Sequence, residues 1–252
     1  MDRRGFLRAI AIAAACPTCA SVASAADKHP VWSYAGKGGP EHWGAMDKGN
    51  ASCSIGTRQS PLDIVEPVRA SLPDLKLEMG SGASEIVNNG HTIQVSMLKG
   101  SSMQVGGERY ELLQFHFHRP SEHRINGKSY PMEVHFVHRN EAGTLGVCGV
   151  LMTEGASNPC FAAITAAMPA KPGVVKAGLD ALKPERLLPA GRAYYRYAGS
   201  LTTPPCSEDV DWFLLKDTIE VSASDVAAFA KLYPMNARPA QKGFKRFVLS
   251  SG

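Results

Sequence analysis

The chain has 252 residues, 44% of them apolar and 20% charged, with a formal net charge of +4. This length and composition suit one sizeable domain with a single core and exclude a disordered chain. No run of like charge occurs, which argues against a nucleic-acid surface.

Residues 1–25 read as an export signal, removed from a single domain at 26–252. Arg3-Arg4-Gly5-Phe6-Leu7 has the form of a twin-arginine motif, a short Ala/Ile run follows, and Ala23-Ser24-Ala25 is a small-residue cleavage site. The apolar run is too short to span a bilayer. Removing it takes away three Arg and one Asp, so the charge falls from +4 to +2. The mature surface then offers no argument for binding DNA or a membrane. The expected location is periplasmic or secreted. Cys16 and Cys19 leave with the signal. Cys53, Cys148, Cys160 and Cys206 remain, and four cysteines allow three full pairings that sequence does not choose among. Export permits a disulfide. Cys148, inside an apolar strand, reads as a buried thiol, and Cys160 as free.

The Gly-rich and aromatic stretch Trp32 to Trp43 reads as an N-terminal segment wrapped on the surface, with Trp43 packed and His29 and His42 outside. Short strands follow at Leu75–Met79, Glu85–Asn88, Thr92–Met97, Ser102–Val105 and Arg109–His118, separated by turn signals such as Asn89-Gly90 and Gly106-Gly107. Tyr130–His138, Thr144–Met152, Ala193–Tyr197 and Val210–Leu215 continue the pattern. Helices are scarce. Asn158-Pro159 caps and opens one that runs to about Met168, and Ser222 to Asp225 opens another that ends before Pro234.

Two of these strands carry chemistry. In Gln114-Phe115-His116-Phe117-His118 the period of two puts Gln114, His116 and His118 on one face and Phe115 and Phe117 on the other. In Glu133-Val134-His135-Phe136-Val137 it groups Glu133, His135 and Val137. Pro120, Gly127 and Pro131 permit a return between them. Antiparallel pairing would bring three imidazoles to one point. Three neutral imidazoles suit zinc and leave a fourth position open, which is the pattern of a catalytic site.

These stretches, together with Pro120-Ser121-Glu122-His123, Gln59-Ser60-Pro61-Leu62-Asp63-Ile64, Asn88-Asn89-Gly90-His91, Gly199 to Pro205 and Asn236-Ala237-Arg238-Pro239, resemble the α-class carbonic anhydrases in the family's own order. Arg119-Pro120, where animal members have Trp-Gly, points to the bacterial branch. The resemblance implies a mainly β fold, with a large, mostly antiparallel twisted sheet and a few peripheral short helices. It implies reversible hydration of CO2 to bicarbonate by a zinc-bound hydroxide, with ester hydrolysis as a side activity. The implied zinc ligands are His116, His118 and His135, held by Gln114, by a backbone carbonyl near Asn236 and by Glu133 respectively. Thr202 is expected to donate to Glu122 and orient the hydroxide, and His91 to shuttle protons to buffer. Val137, Val147, Leu201 and Trp212 are expected to form the CO2 pocket near Leu145, with Thr203 and Gln94 as polar lining and Tyr34 at the mouth. Gln94 departs from the animal pattern, which more often has Asn. The resemblance favours a Cys53–Cys206 disulfide, inhibition by sulfonamides and anions, and a homodimer, and it leaves His123 and His138 to structure. A non-catalytic binding module of this family would have lost zinc histidines, whereas this chain keeps all three. A zinc hydrolase for another acyl substrate would need a wider cleft.

Overall fold

The computed structural model describes residues 32–97, 99–173 and 175–252. The export signal expected over residues 1–25 and His29 lie outside them. A thirteen-stranded, mostly antiparallel sheet organises the rest. Its main path runs Val175–Leu179, Ala83–Asn88, Ile93–Met97, Glu108–His118, Met132–Asn140, Leu145–Glu154, Glu208–Leu215, Tyr194–Ser200, Leu249–Ser250 and Val68–Arg69.

Alternation along the central strands decides what each face does. Phe115, Phe117 and Phe136 are fully buried on one face. The helices Pro159–Ala167 and Ala223–Leu232 cover them, with the Phe117 ring 5.0 Å from Phe161 and 6.2 Å from Phe229. Each such phenylalanine contributes about 1.5–3 kcal/mol by leaving water. The opposite face carries the histidines. Both helices start as expected: the Asn158 side chain accepts from the Cys160 and Phe161 amides, and Ser222 accepts from the Asp225 amide.

Glu108–His118 pairs antiparallel with Met132–Asn140, which sets His116 opposite His135 and His118 opposite Glu133. Leu145–Glu154 then sets Val147 beside Val137 on one side and beside Trp212, across a parallel pairing, on the other. The strand expected from Tyr130 begins at Met132 instead. Pro131 has no amide for the ladder, and Tyr130 is engaged with Ser121. Two-residue strands such as Asp63–Ile64 and Leu249–Ser250, and the single-turn helices Trp43–Met46 and Ser52–Ile55, escaped the sequence reading. They are too short to show a period. Among the described residues, no helix is long and apolar enough to cross a membrane.

Candidate metal centre and its cone

The metal-facing nitrogens of His116, His118 and His135 lie within 4.8 Å of one another. Each ring has its other nitrogen committed. His116 Nδ1 donates to Gln114 Oε1, His118 Nδ1 to the Asn236 carbonyl and His135 Nε2 to Glu133 Oε1, each at 2.8 Å. Because the partners are acceptors, the protons sit on those nitrogens, and lone pairs remain on His116 Nε2, His118 Nε2 and His135 Nδ1. His118 Nε2 is buried and has no hydrogen-bond partner.

The electrostatics favour a cation. Burial, followed by repulsion from the neighbouring imidazoles, holds His116 well below its ordinary pKa, and burial also lowers His118. Burial lowers His135 as well, but the Glu133 and Glu122 carboxylates outweigh it and bring the group above its ordinary value. Glu133 is buried, yet His123 and His135 keep it well below the usual carboxylate range. Three unprotonated nitrogens above two buried carboxylates form a donor set that fits a divalent ion such as zinc. His123, Glu133 and His135 also cluster, but both His123 nitrogens and His135 Nε2 are spent on Glu133 and Tyr197, so the group is a hydrogen-bonded brace.

Glu122 is fully buried. Its Oε1 accepts from the Arg238 amide at 2.8 Å, and its Oε2 lies 3.9 Å from His135 Nδ1. The expected Thr202 to Glu122 hydrogen bond is not made in this structure, since Oε2 has no partner. The Arg238 amide takes up Oε1, and Oε2 is the acceptor left open toward the site. Thr202 itself is buried in the loop between Ser200 and Cys206. The disulfide joins Cys53 to Cys206, with Cα atoms 5.0 Å apart. It braces that loop, helped by Gln59 Nε2 donating to the Cys206 carbonyl and Arg238 to the Cys53 carbonyl. Cys148 and Cys160 are free and buried, each thiol pushed up to about 12 by burial.

A cavity of about 120 Å³ opens beside His116 and His118, and His91, Gln94, Thr203 and Tyr34 are among the residues that line it. Val137, Val147 and Trp212 do not line this cavity; they are buried in one apolar cluster with Leu201 and Leu145 packed against it, and the Trp212 ring lies 4.8 Å from that of His135. His91 is half-buried, and burial lowers its pKa. Its ring stacks flat on Trp32 at 3.6 Å between centroids. Trp43 packs in the core beneath Trp32 and Tyr34, and His42 is exposed. Sequence reasoning gave no role to Trp32, Tyr197 or Arg238. The Trp32-Ser33-Tyr34 spacing was the available signal for the first. The other two depend on contacts distant in sequence.

The family model for eukaryotic-type carbonic anhydrase matches residues 38–251. A carbonic anhydrase of a Nostoc species is 42% identical over 226 residues, covering 87% of this chain and 86% of its own length. One from Neisseria gonorrhoeae is 40% identical and covers 90% of each. The α-carbonic anhydrase of Thermovibrio ammonificans, solved with the inhibitor sulfanilamide, superposes with a TM-score of 0.85 at 44% identity, covering 87% of this chain and 98% of that one.

Proposed function

The chain belongs to the eukaryotic-type carbonic anhydrase family, and from that premise we propose how its residues divide the reaction. The activity is reversible hydration of carbon dioxide to bicarbonate and a proton, with zinc as cofactor. The observation that carries this reading is the set of three imidazoles with fixed tautomers and inward lone pairs. His116, His118 and His135 would hold the ion. When bound, zinc supplies Lewis acidity that makes an attacking water acidic near neutral pH, and it leaves one coordination position open.

The protein's own groups do the rest. Thr202 would donate its one O–H to Glu122 Oε2, the acceptor left open in this structure. Its oxygen can then only accept, so it takes a hydrogen bond from the attacking oxygen and points that oxygen's lone pair at the substrate carbon. Val137, Val147, Leu201 and Trp212 form an apolar wall that holds carbon dioxide without competing hydrogen bonds. Thr203 and Gln94 carry water on the polar side. His91 takes the released proton and passes it to buffer. Activated esters would be attacked by the same nucleophile as a side activity, and an aromatic sulfonamide would bind over the ligands. Export through a twin-arginine-type signal to the periplasm fits a formed disulfide.

Stopped-flow hydration by the purified, zinc-loaded protein tests this. Fast hydration that is lost on chelation, restored by zinc and blocked by an aromatic sulfonamide is the expected result. A folded, zinc-loaded protein without hydration overturns it.

A further inference from the structure

We propose that the Asn236 side chain is a positioning residue that fixes His91 relative to the metal ligands. The inference rests on the reading of His91 as the proton shuttle. Asn236 is fully buried between two parts of the site. Its Nδ2 donates to the His91 carbonyl at 3.0 Å and to the Phe117 carbonyl at 2.9 Å. Its Oδ1 accepts from the Arg119 amide at 2.7 Å. Its main chain donates to the Arg119 carbonyl at 2.9 Å and accepts from His118 Nδ1 at 2.8 Å. Both donors of the carboxamide and its oxygen are therefore in use. One residue clamps Phe117, His118 and Arg119, at the end of the ligand strand, to the turn that carries His91.

The other ties of that turn are different in kind. Asn89 Oδ1 accepts from the His91 and Thr92 amides, which shapes the turn locally. Thr92 Oγ1 donates to the Phe117 carbonyl at 2.6 Å and anchors the residue after His91. The Asn236 bond is the one that reaches from His91 itself to a metal ligand's own partner. Proton transfer through intervening water falls steeply with added distance, whereas attack on carbon dioxide takes place at the ligands. Loosening His91 should therefore slow the proton step more than the attack.

The test compares Asn236→Ala, Asn236→Ser and His91→Ala, each zinc-loaded, by stopped-flow hydration and by NMR of the His91 ring. Both Asn236 variants keep the backbone bonds to His118 and Arg119, and the serine variant serves if the alanine variant fails to fold. Expected is a fall in kcat on the order of tenfold, a much smaller fall in kcat/KM, and recovery of kcat in imidazole buffer. The ring-current shift that Trp32 imposes on His91 should shrink in parallel. If kcat and the shift stay at wild-type values, or if kcat and kcat/KM fall together without rescue, the proposal is wrong. If His91→Ala leaves kcat intact, the shuttle reading fails instead, and the His91 shift alone then decides whether Asn236 positions the ring.

Discussion

Replacing Glu133 with glutamine changes one oxygen to an NH2 group and tests the tautomer argument at its base. Glu133 is fully buried. Its Oε2 accepts from the amides of Glu122 at 2.9 Å and His123 at 2.8 Å, and its Oε1 accepts from His123 Nδ1 at 2.7 Å and His135 Nε2 at 2.8 Å. Glutamine has a single acceptor oxygen. If that oxygen stays on the two amides, the NH2 faces His135 Nε2, whose proton must then move to Nδ1, the atom the metal needs. If it turns toward the imidazoles, the NH2 meets two amide N–H groups. Either arrangement loses a charge-assisted hydrogen bond worth about 1.5–3 kcal/mol. Zinc affinity should fall on the order of 10–100-fold, or about 1.4–2.7 kcal/mol, and glutamine should do no better than alanine. Chelator competition at fixed pH measures the affinity, and melting of the zinc-free proteins separates lost affinity from lost fold. A Glu133→Gln protein with wild-type zinc affinity would refute the tautomer reasoning.

Three further outcomes are expected. His138 is fully buried, with Nδ1 donating to the Phe136 carbonyl and Nε2 unpartnered, and burial pushes its pKa from 6.5 down to about 4. The unfolded chain therefore binds a proton that the folded one refuses between these values, so this stability is present above pH 6.5 and is lost as pH falls to about 4. The loss is about 3 kcal/mol. Urea unfolding from pH 4 to 7 should show a flatter profile for His138→Gln, and parallel profiles would refute the assignment. Replacing Cys53 and Cys206 together by serine opens a loop closed over 153 residues and should cost up to about 5 kcal/mol. A loss under about 1 kcal/mol in urea would mean that the native bonds of Gln59 and Arg238 hold the loop alone. Trp32→Ala should raise the His91 pKa toward its ordinary value, because burial is what lowers it; an NMR titration that moves the other way contradicts this.

How much of the molecule could be read in the sequence depended on distance along the chain. The alternation of Gln114 to His118 is local, and it located both the ligand face and the Phe115/Phe117 core face. The caps at Asn158 and Ser222 are local too, and both helices were found. The two-residue strands were not, because Val68–Arg69 and Leu249–Ser250 form only where segments 181 residues apart meet. Resemblance, rather than spacing, picked out the Cys53–Cys206 pairing and suggested the roles proposed for Thr202 and His91.

The same dependence explains which parts of the site stayed hidden. A period-two strand can aim three imidazoles, but it cannot specify the groups that hold them. The carboxylate of Glu122 takes its orientation from the main-chain amide of Arg238, which no side-chain pattern can encode. Among the described residues, the buried Arg238 guanidinium makes no salt bridge, although the Glu122 carboxylate favours its charge from a distance. It spends its Nη donors on the Gln59 side chain and on the Ser60 and Cys53 carbonyls, and burial lowers its pKa to about 10. The segment Gln59-Ser60, the disulfide-bonded Cys53 and the backbone beneath Glu122 therefore converge on one cation. Keeping an arginine charged there is costly, and it is offset by the nearby Glu122 carboxylate and by three acceptors from separate stretches. The strands supply the three imidazoles locally, and hydrogen bonds between residues distant in sequence, such as His118 to Asn236 and Arg238 to Glu122, hold the site in place.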